Sequence, residues 1–253
     1  MMDRREALQR GLHVLAGTVL AGCLDLEQTG TVQEVEPRLT ARPGTPTTTA
    51  ETGLAWIGDI GEGGMYFVPS NASRAVAMPL VVFLHGAGRR VESFMNDFAP
   101  VAESAGVMLL APLSNGGTWD AIVSSFGPDV TLLNAALEWA FQRWRIDPAR
   151  IVLSGFSDGA TYTLAIGRAN GDLFSRVVAY SPGFLIQVTP IRNPPILITH
   201  GTQDPVLPYS NTANVIVPEL EREGYDVDFR SFDGGHEVLL STAHEVITDL
   251  AAP

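Results

Sequence analysis

The sequence predicts an α/β domain built on a mostly parallel sheet flanked by helices, and three observations carry that expectation. Runs such as Met78–Leu84 are apolar almost throughout, as strands covered on both faces must be. They alternate with longer stretches whose apolar residues recur at helical spacing. The 253 residues, 45% of them hydrophobic, suffice for one sizeable core and fall short of two.

The fold is expected to begin well inside the chain. Residues 1–22 read as a targeting segment, with Arg4, Arg5 and Arg10 as its charged start and a mildly apolar stretch from Gly11 to Gly22. That stretch is shorter than the ~20 residues a bilayer-spanning helix needs. It ends in Leu20-Ala21-Gly22-Cys23, which resembles the lipobox of bacterial lipoproteins, whose cysteine becomes the lipidated N-terminus. The Arg4-Arg5 pair resembles a twin-arginine export signal, although no Ser or Thr precedes it and Ala7 stands where an aromatic is common. The plainer alternative is an amphipathic N-terminal helix with a buried cysteine. Cys23 is the sole cysteine and falls where a lipobox needs it, which favours lipidation. A single cysteine also excludes an internal disulfide and a cysteine-based zinc cluster. Residues 23–52 are rich in Thr, Pro and Glu without apolar periodicity, and are expected to form a flexible tether.

The catalytic domain is expected over 53–253. Strands are predicted at Gly64–Val68, Met78–Leu84, Val107–Ala111, Arg150–Ser154, Arg176–Tyr180, Pro195–Thr199 and Val227–Phe232. Helices are predicted at Val91–Ala105, Asp129–Trp144 with Asp129 as its cap, Asp158–Ala169, Thr212–Glu223 and Glu237–Leu250. Such βα repetition implies a parallel sheet with helices on its faces. The net charge of −12 arises from 28 acidic residues and 16 basic ones, every one of the latter an arginine. An acidic surface without basic clusters argues against nucleic acid and against electrostatic docking on anionic lipid.

The chemistry is concentrated after the strand at 150–154. It runs into Gly155-Phe156-Ser157-Asp158-Gly159 and then a helix. A serine at so tight a turn is thrust outward, and small neighbours permit the tightness. Its hydroxyl also lies at a helix N-terminus, where free amides favour developing negative charge. A serine hydroxyl needs a neutral histidine as base and a carboxylate to orient that histidine.

Of the five histidines, His13 falls in the targeting segment, and His244 falls within the last helix. His85 and His200 each precede a glycine at a strand end, where a structural role is expected. His236 sits in Asp233-Gly234-Gly235-His236-Glu237, between the last strand and last helix, and is the expected base. Asp204, following the strand at 195–199, is the favoured acid; Asp226, Asp228 and Asp233 are its rivals. The oxyanion hole is expected from the backbone amides of Asp158 and of Ala87, the latter in the Leu84-His85-Gly86-Ala87-Gly88 loop. No Gly-Lys-Ser/Thr or Gly-x-Gly-x-x-Gly follows that loop, so a nucleotide is not expected.

From Leu80 onward the chain resembles the phospholipase/carboxylesterase and polyhydroxybutyrate-depolymerase-like esterases of the α/β-hydrolase superfamily. The residues that carry the likeness are Leu-His-Gly-Ala-Gly at 84–88, Gly-Phe-Ser-Asp-Gly at 155–159 and Ser-Pro-Gly at 181–183. His-Gly-Thr-Gln-Asp-Pro-Val-Leu-Pro at 200–208 and Gly-Gly-His at 234–236 complete them. The resemblance implies an α/β-hydrolase fold with Ser157 as nucleophile, Asp204 as acid and His236 as base. Trp119-Asp120 resembles a Trp-Asp segment lining the acyl pocket of such esterases, so Trp119 and Phe156 are expected to wall a shallow pocket. Asp158 departs from the glutamine common there. About 14 residues separate the strands at 176–180 and 195–199, too few for a large lid.

The resulting expectation is a serine esterase acting on short- to medium-chain carboxylic esters, without metal or organic cofactor. It would be exported and membrane-anchored through Cys23, with a small-molecule ester as its partner, no nucleic acid, and no protein partner inferable. Thioesters, polyesters and peptide-like bonds suit the same triad. The rival from another class is a silent envelope lipoprotein that uses the fold for binding.

Overall fold

The computed structural model describes residues 36–48, 51–58 and 63–251. The targeting segment, Cys23 and the first part of the expected tether lie outside the described residues.

Eight strands form one sheet in the order β1-β2-β4-β3-β5-β6-β7-β8. They are β1 (Gly53–Trp56), β2 (Gly64–Val68), β3 (Met78–Leu84), β4 (Met108–Pro112), β5 (Ile146–Phe156), β6 (Arg176–Tyr180), β7 (Ile196–Gly201) and β8 (Val227–Phe232). β2 pairs antiparallel with β1 and β4, and every pairing from β4 onward is parallel. The sequence reading assigns no strand to 53–56, a four-residue edge strand in which Leu54 and Trp56 stay exposed.

The apolar strands bury side chains on both faces of the sheet. In β3, Leu80, Val82 and Leu84 face one side while Val81 and Phe83 face the other. Successive side chains alternate across a sheet, so a strand covered on both faces must be apolar at every position. The first face is covered by α3 (Pro128–Arg143), through Leu133, Ala136 and Leu137, and by α4 (Asp158–Ala169), through Tyr162 and Ile166. The second is covered by α1 (Glu92–Ala105), through Phe94, Met95 and Phe98, and by α7 (Leu240–Asp249), through Ala243, Val246 and Ile247. A short helix, α2 (Asp120–Val123), precedes α3.

Two sequence expectations change locally. The helix expected at 212–223 begins at α5 (Tyr209–Asn211), widens into a π turn over Thr212–Ile216 and resumes as α6 (Val217–Arg222). Pro218 has no N–H to donate to the preceding turn, and a widened ladder next to it is the local response. Asp129 does not cap α3: Gly127 occupies that position, and Asp129 lies in the first turn with its carboxylate bonded elsewhere.

The flexible tether does not extend to residue 52. Residues 36–48 lie docked as an extended strap. Leu39 and Ala41 are buried; Asn134 Oδ1 accepts from the amides of Thr40 and Ala41, at 2.7 and 2.8 Å. Asn170 accepts from the Leu39 amide at 2.8 Å and donates to the Pro37 carbonyl at 2.7 Å. Arg38 and Arg42 both close on Asp172, at 2.9 and 2.7 Å. Every amide so satisfied and every apolar group so covered offsets the entropy lost in ordering the strap.

The strand order places the site. The chain moves outward from β3 to β4, then returns to the other side of β3 as β5, so connections diverge above the C-terminal ends of β3 and β5. Ligand crevices of open α/β sheets form at such a switch point. The two loops that emerge there are 85–90 and the turn at Ser157.

Candidate active site

The turn between β5 and α4 is as tight as its glycines suggest. Ser157 takes φ 57° and ψ −120°, a conformation L residues rarely adopt, which costs of order 1–3 kcal/mol. A Cβ on Gly155 would run into the Gly159 carbonyl, and one on Gly159 would run into the carbonyls of Leu84 and His85. The second clash shows how closely the start of α4 packs on the end of β3. Gly86 is next to Ser157: a Cβ there would lie 3.2 Å from its Cβ. The Ser157 amide is held by the Tyr180 carbonyl at 2.9 Å.

Three loops converge on this serine. His236 Nε2 lies 2.9 Å from Ser157 Oγ, and His236 Nδ1 lies 2.7 Å from Asp204 Oδ2. Since a carboxylate only accepts, Nδ1 carries the proton and Nε2 is left to accept from the serine hydroxyl. Asp204 Oδ1 accepts from the amides of Val206 and Leu207, at 2.8 and 2.9 Å. Burial alone would push this carboxyl up, but the Leu207 and Val206 amides and His236 together hold it below the usual carboxylate range. It therefore stays ionised and fixes the imidazole. The rivals are elsewhere: Asp228 pairs with Arg230 at 2.6 Å, and Asp233 bonds Gln203.

His200 is a second, buried neighbour of Asp204, with Nε2 3.1 Å from Oδ2 and 3.0 Å from the Leu207 carbonyl. Its Nδ1 is bonded to the Thr212 hydroxyl at 2.8 Å. Both ring nitrogens are thus committed, and the ring braces the loop that carries Asp204. His85 is committed in the same way. Its Nδ1–H donates to the Gly86 carbonyl at 2.7 Å, and its Nε2 accepts from the Ser114 amide at 3.1 Å. Burial pulls its pKa down despite the Gly86 carbonyl, which keeps the ring neutral and able to accept. His244, half-buried, presents an edge to Phe98.

Trp119 does not line a pocket. It is 0% exposed, donates Nε1–H to the His85 carbonyl at 2.8 Å, and stacks between His85 and Tyr162 at 4.8 and 5.0 Å. The segment after the glycine pair turns inward, so its aromatic becomes part of the core beneath the loop at 85–90. The cavity lies on the opposite side, over α1. It has a volume of about 440 Å³ and is walled by Phe83, Phe94, Phe98, Phe156, Val238 and Leu240. Gly86, Ala87 and Gly88 form its inner edge, and Arg90, Ser93 and Asp97 its polar ones. Phe156 thus walls this cavity. Phe94 and Phe98, one helical turn apart, were the signal available in the sequence. Ala87 lies in the loop at the cavity edge, and Asp158 follows Ser157 as the first residue of α4. Among the described residues, no group of three or more His, Cys, Asp or Glu could hold a metal ion.

The sheet with this strand order has known counterparts. The family model for phospholipases and carboxylesterases matches residues 129–251. The esterase PE8 superposes with a TM-score of 0.59 over 74% of this chain and 98% of its own, at 22% identity. The chain has the α/β-hydrolase fold. An acetyl xylan esterase from Aspergillus awamori shares the fold with a TM-score of 0.60, 18% identity, and coverage of 77% of this chain and 98% of its own. In sequence, the chain is 29% identical over 125 residues to an acetylxylan esterase of Coprinopsis cinerea, covering 42% of this chain and 33% of the relative. It is also 29% identical over 111 residues to acyl-protein thioesterase 1 of Gibberella zeae, covering 40% and 47%. The match thus spans between a third and about half of the length of these curated relatives.

Proposed function

We propose that this protein is a serine esterase that cleaves carboxylic esters of short to medium acyl chains through an acyl-Ser157 intermediate. The observation that carries the reading is the unbroken relay Asp204–His236–Ser157, at 2.7 and 2.9 Å, beside a cavity whose lining includes Phe156 and Gly86, the neighbours of Ser157. Ser157 Oγ attacks the ester carbonyl and gives its proton to His236 Nε2. The carbonyl oxygen takes up the negative charge between the backbone amides of Ala87 and Asp158. Collapse of the tetrahedral species breaks the bond to the alcohol oxygen, which leaves with the proton from His236. Water then repeats the sequence on the acyl-serine, with His236 as base, and releases the acid.

The cavity over α1 is where the acyl group fits, since its edge is the oxyanion loop. Each methylene buried there contributes ~0.8 kcal/mol while wall remains to cover it. Rates should rise from acetyl to roughly hexanoyl 4-nitrophenyl esters and then level off. No helix intervenes between β6 and β7 to act as a lid, so no jump should occur at the micellar threshold. Ser157→Ala should lower turnover by about 10⁴ or more and abolish labelling by a fluorophosphonate, with the fold intact. Retained esterase activity in that variant would falsify the assignment. The relative named a thioesterase makes thioesters the second substrate series to assay.

The run Leu20-Ala21-Gly22-Cys23 supports an enzyme that acts outside the cytoplasm, held to a membrane through a lipidated Cys23. Mass spectrometry of the mature N-terminus tests this, and any terminus other than lipidated Cys23 removes it.

A further inference from the structure

The segment from Ser114 to Asp120 touches both halves of the expected oxyanion hole without carrying any of the triad. On one side, the Gly117 carbonyl accepts from the Gly88 amide at 2.8 Å, the Ser114 amide donates to His85, and Trp119 donates to the His85 carbonyl. These bonds hold the loop that presents Ala87. On the other, the Thr118 hydroxyl donates to Asp158 Oδ2 at 2.6 Å. From behind, buried Asp129 holds the segment by the amides of Asn115 and Asp120, at 2.5 and 2.7 Å.

Asp158 presents a particular problem. Its amide is to receive the oxyanion, yet its own carboxylate occupies the first position of α4. Ser157, just before it, makes no side-chain bond to the first amides of the helix. Carboxylates at such positions turn readily onto uncapped N–H groups, attracted by the helix dipole. An Asp158 side chain that did so would compete with the developing oxyanion for the same donors. The Thr118 hydroxyl binds that carboxylate instead.

We propose that Thr118 is a positioning residue for the reaction: by holding the Asp158 carboxylate, it keeps the first-turn amides of α4 free to stabilise the oxyanion. The inference rests on the serine-hydrolase reading above. Its effect is specific to the transition state, because the charge it serves exists only there.

The test uses the full-length chain and an acetyl ester. Thr118→Val preserves shape and removes the hydroxyl. It should lower kcat about ten- to thirtyfold, a fraction of the 10²–10³ that loss of a whole oxyanion donor costs. KM should stay within about twofold and the melting temperature should hold, and Thr118→Ser should recover most of the rate. In an Asp158→Ala background, Thr118→Val should have no further effect on kcat, since no carboxylate is left to restrain. A folded Thr118→Val enzyme with wild-type kcat, a loss carried by KM, a serine variant as slow as the valine one, or additive losses in the double variant would each overturn the proposal. Fluorophosphonate labelling of wild type and of Ser157→Ala is run alongside. If Ser157 proves dispensable, the hydrolase reading fails; if Ser157 is essential and Thr118 is not, only this inference fails.

Discussion

Asp204, in the loop after β7, and Asp129, in the first turn of α3, are built alike. Both carboxylates are buried, and each accepts from two backbone amides: Val206 and Leu207 in one case, Asn115 and Asp120 in the other. Their titrations nevertheless diverge. Burial pushes Asp129 up, the Asp120 carboxylate beside it adds to that, and the two amides and Arg89 do not fully compensate. In Asp204 burial acts the same way, but two amides and His236 outweigh it and hold the carboxyl down. The third neighbour makes the difference: an imidazole that can become a cation in one case, a second acid in the other. One aspartate is thereby equipped to orient a base, while the other ties loop 114–120 to α3.

Substitution should separate the two roles. Asp204→Asn keeps the shape but offers an amide where His236 needs an ionised acceptor, so kcat should fall by about 10³–10⁴. Asp129→Asn should act on stability instead. Its NH₂ group would meet a backbone N–H, leaving one buried donor without an acceptor at about 2 kcal/mol, or about 4–8 °C in melting temperature. Its kcat should stay within about tenfold of wild type. Steady-state kinetics and thermal melts on both variants check this; equal kinetic losses would erase the distinction between the two aspartates.

The smallest effect is the most discriminating. Asp204 has its folded value below its unfolded one, so its contribution to stability is present above the ordinary carboxylate range near 4 and fades as pH falls through the folded value. Asp129 has the opposite displacement, so its ionisation opposes folding, increasingly as pH rises from the ordinary range through its folded value. Relative to wild type, the melting deficit of Asp204→Asn should therefore grow as pH rises toward about 4 and level off above it, whereas that of Asp129→Asn should shrink as pH rises above about 4. Parallel curves for the two variants would show that the amides, and not the third neighbour, govern both sites.

The same pair shows how far the sequence could be read. Ser157, Asp204 and His236 were legible because each lies in a short local pattern at a strand end, and α/β topology brings those ends together. The seven longer strands were legible for the same reason, as apolar runs punctuated by glycine and proline. Asp129 looked like a helix cap because its real partners, Asn115 and Asp120, depend on how a loop folds back. Trp119 looked like a pocket wall, but its burial is set by His85 and Tyr162, from two other elements. The strap at 36–48 has the composition of a tether, and only Asn134, Asn170 and Asp172, some 90 to 130 positions later, reveal that it docks.

The backbone of Ser157 has a consequence for how such a protein changes over generations. Glycine tolerates φ 57° without penalty, so replacing the nucleophile by glycine would relieve strain as it removes the chemistry. Selection for the proposed ester turnover and selection for a robust fold would pull this position in opposite directions. A library sorted on heat resistance alone would drift toward inert copies. Conversely, a serine kept at such an angle is sustained by use.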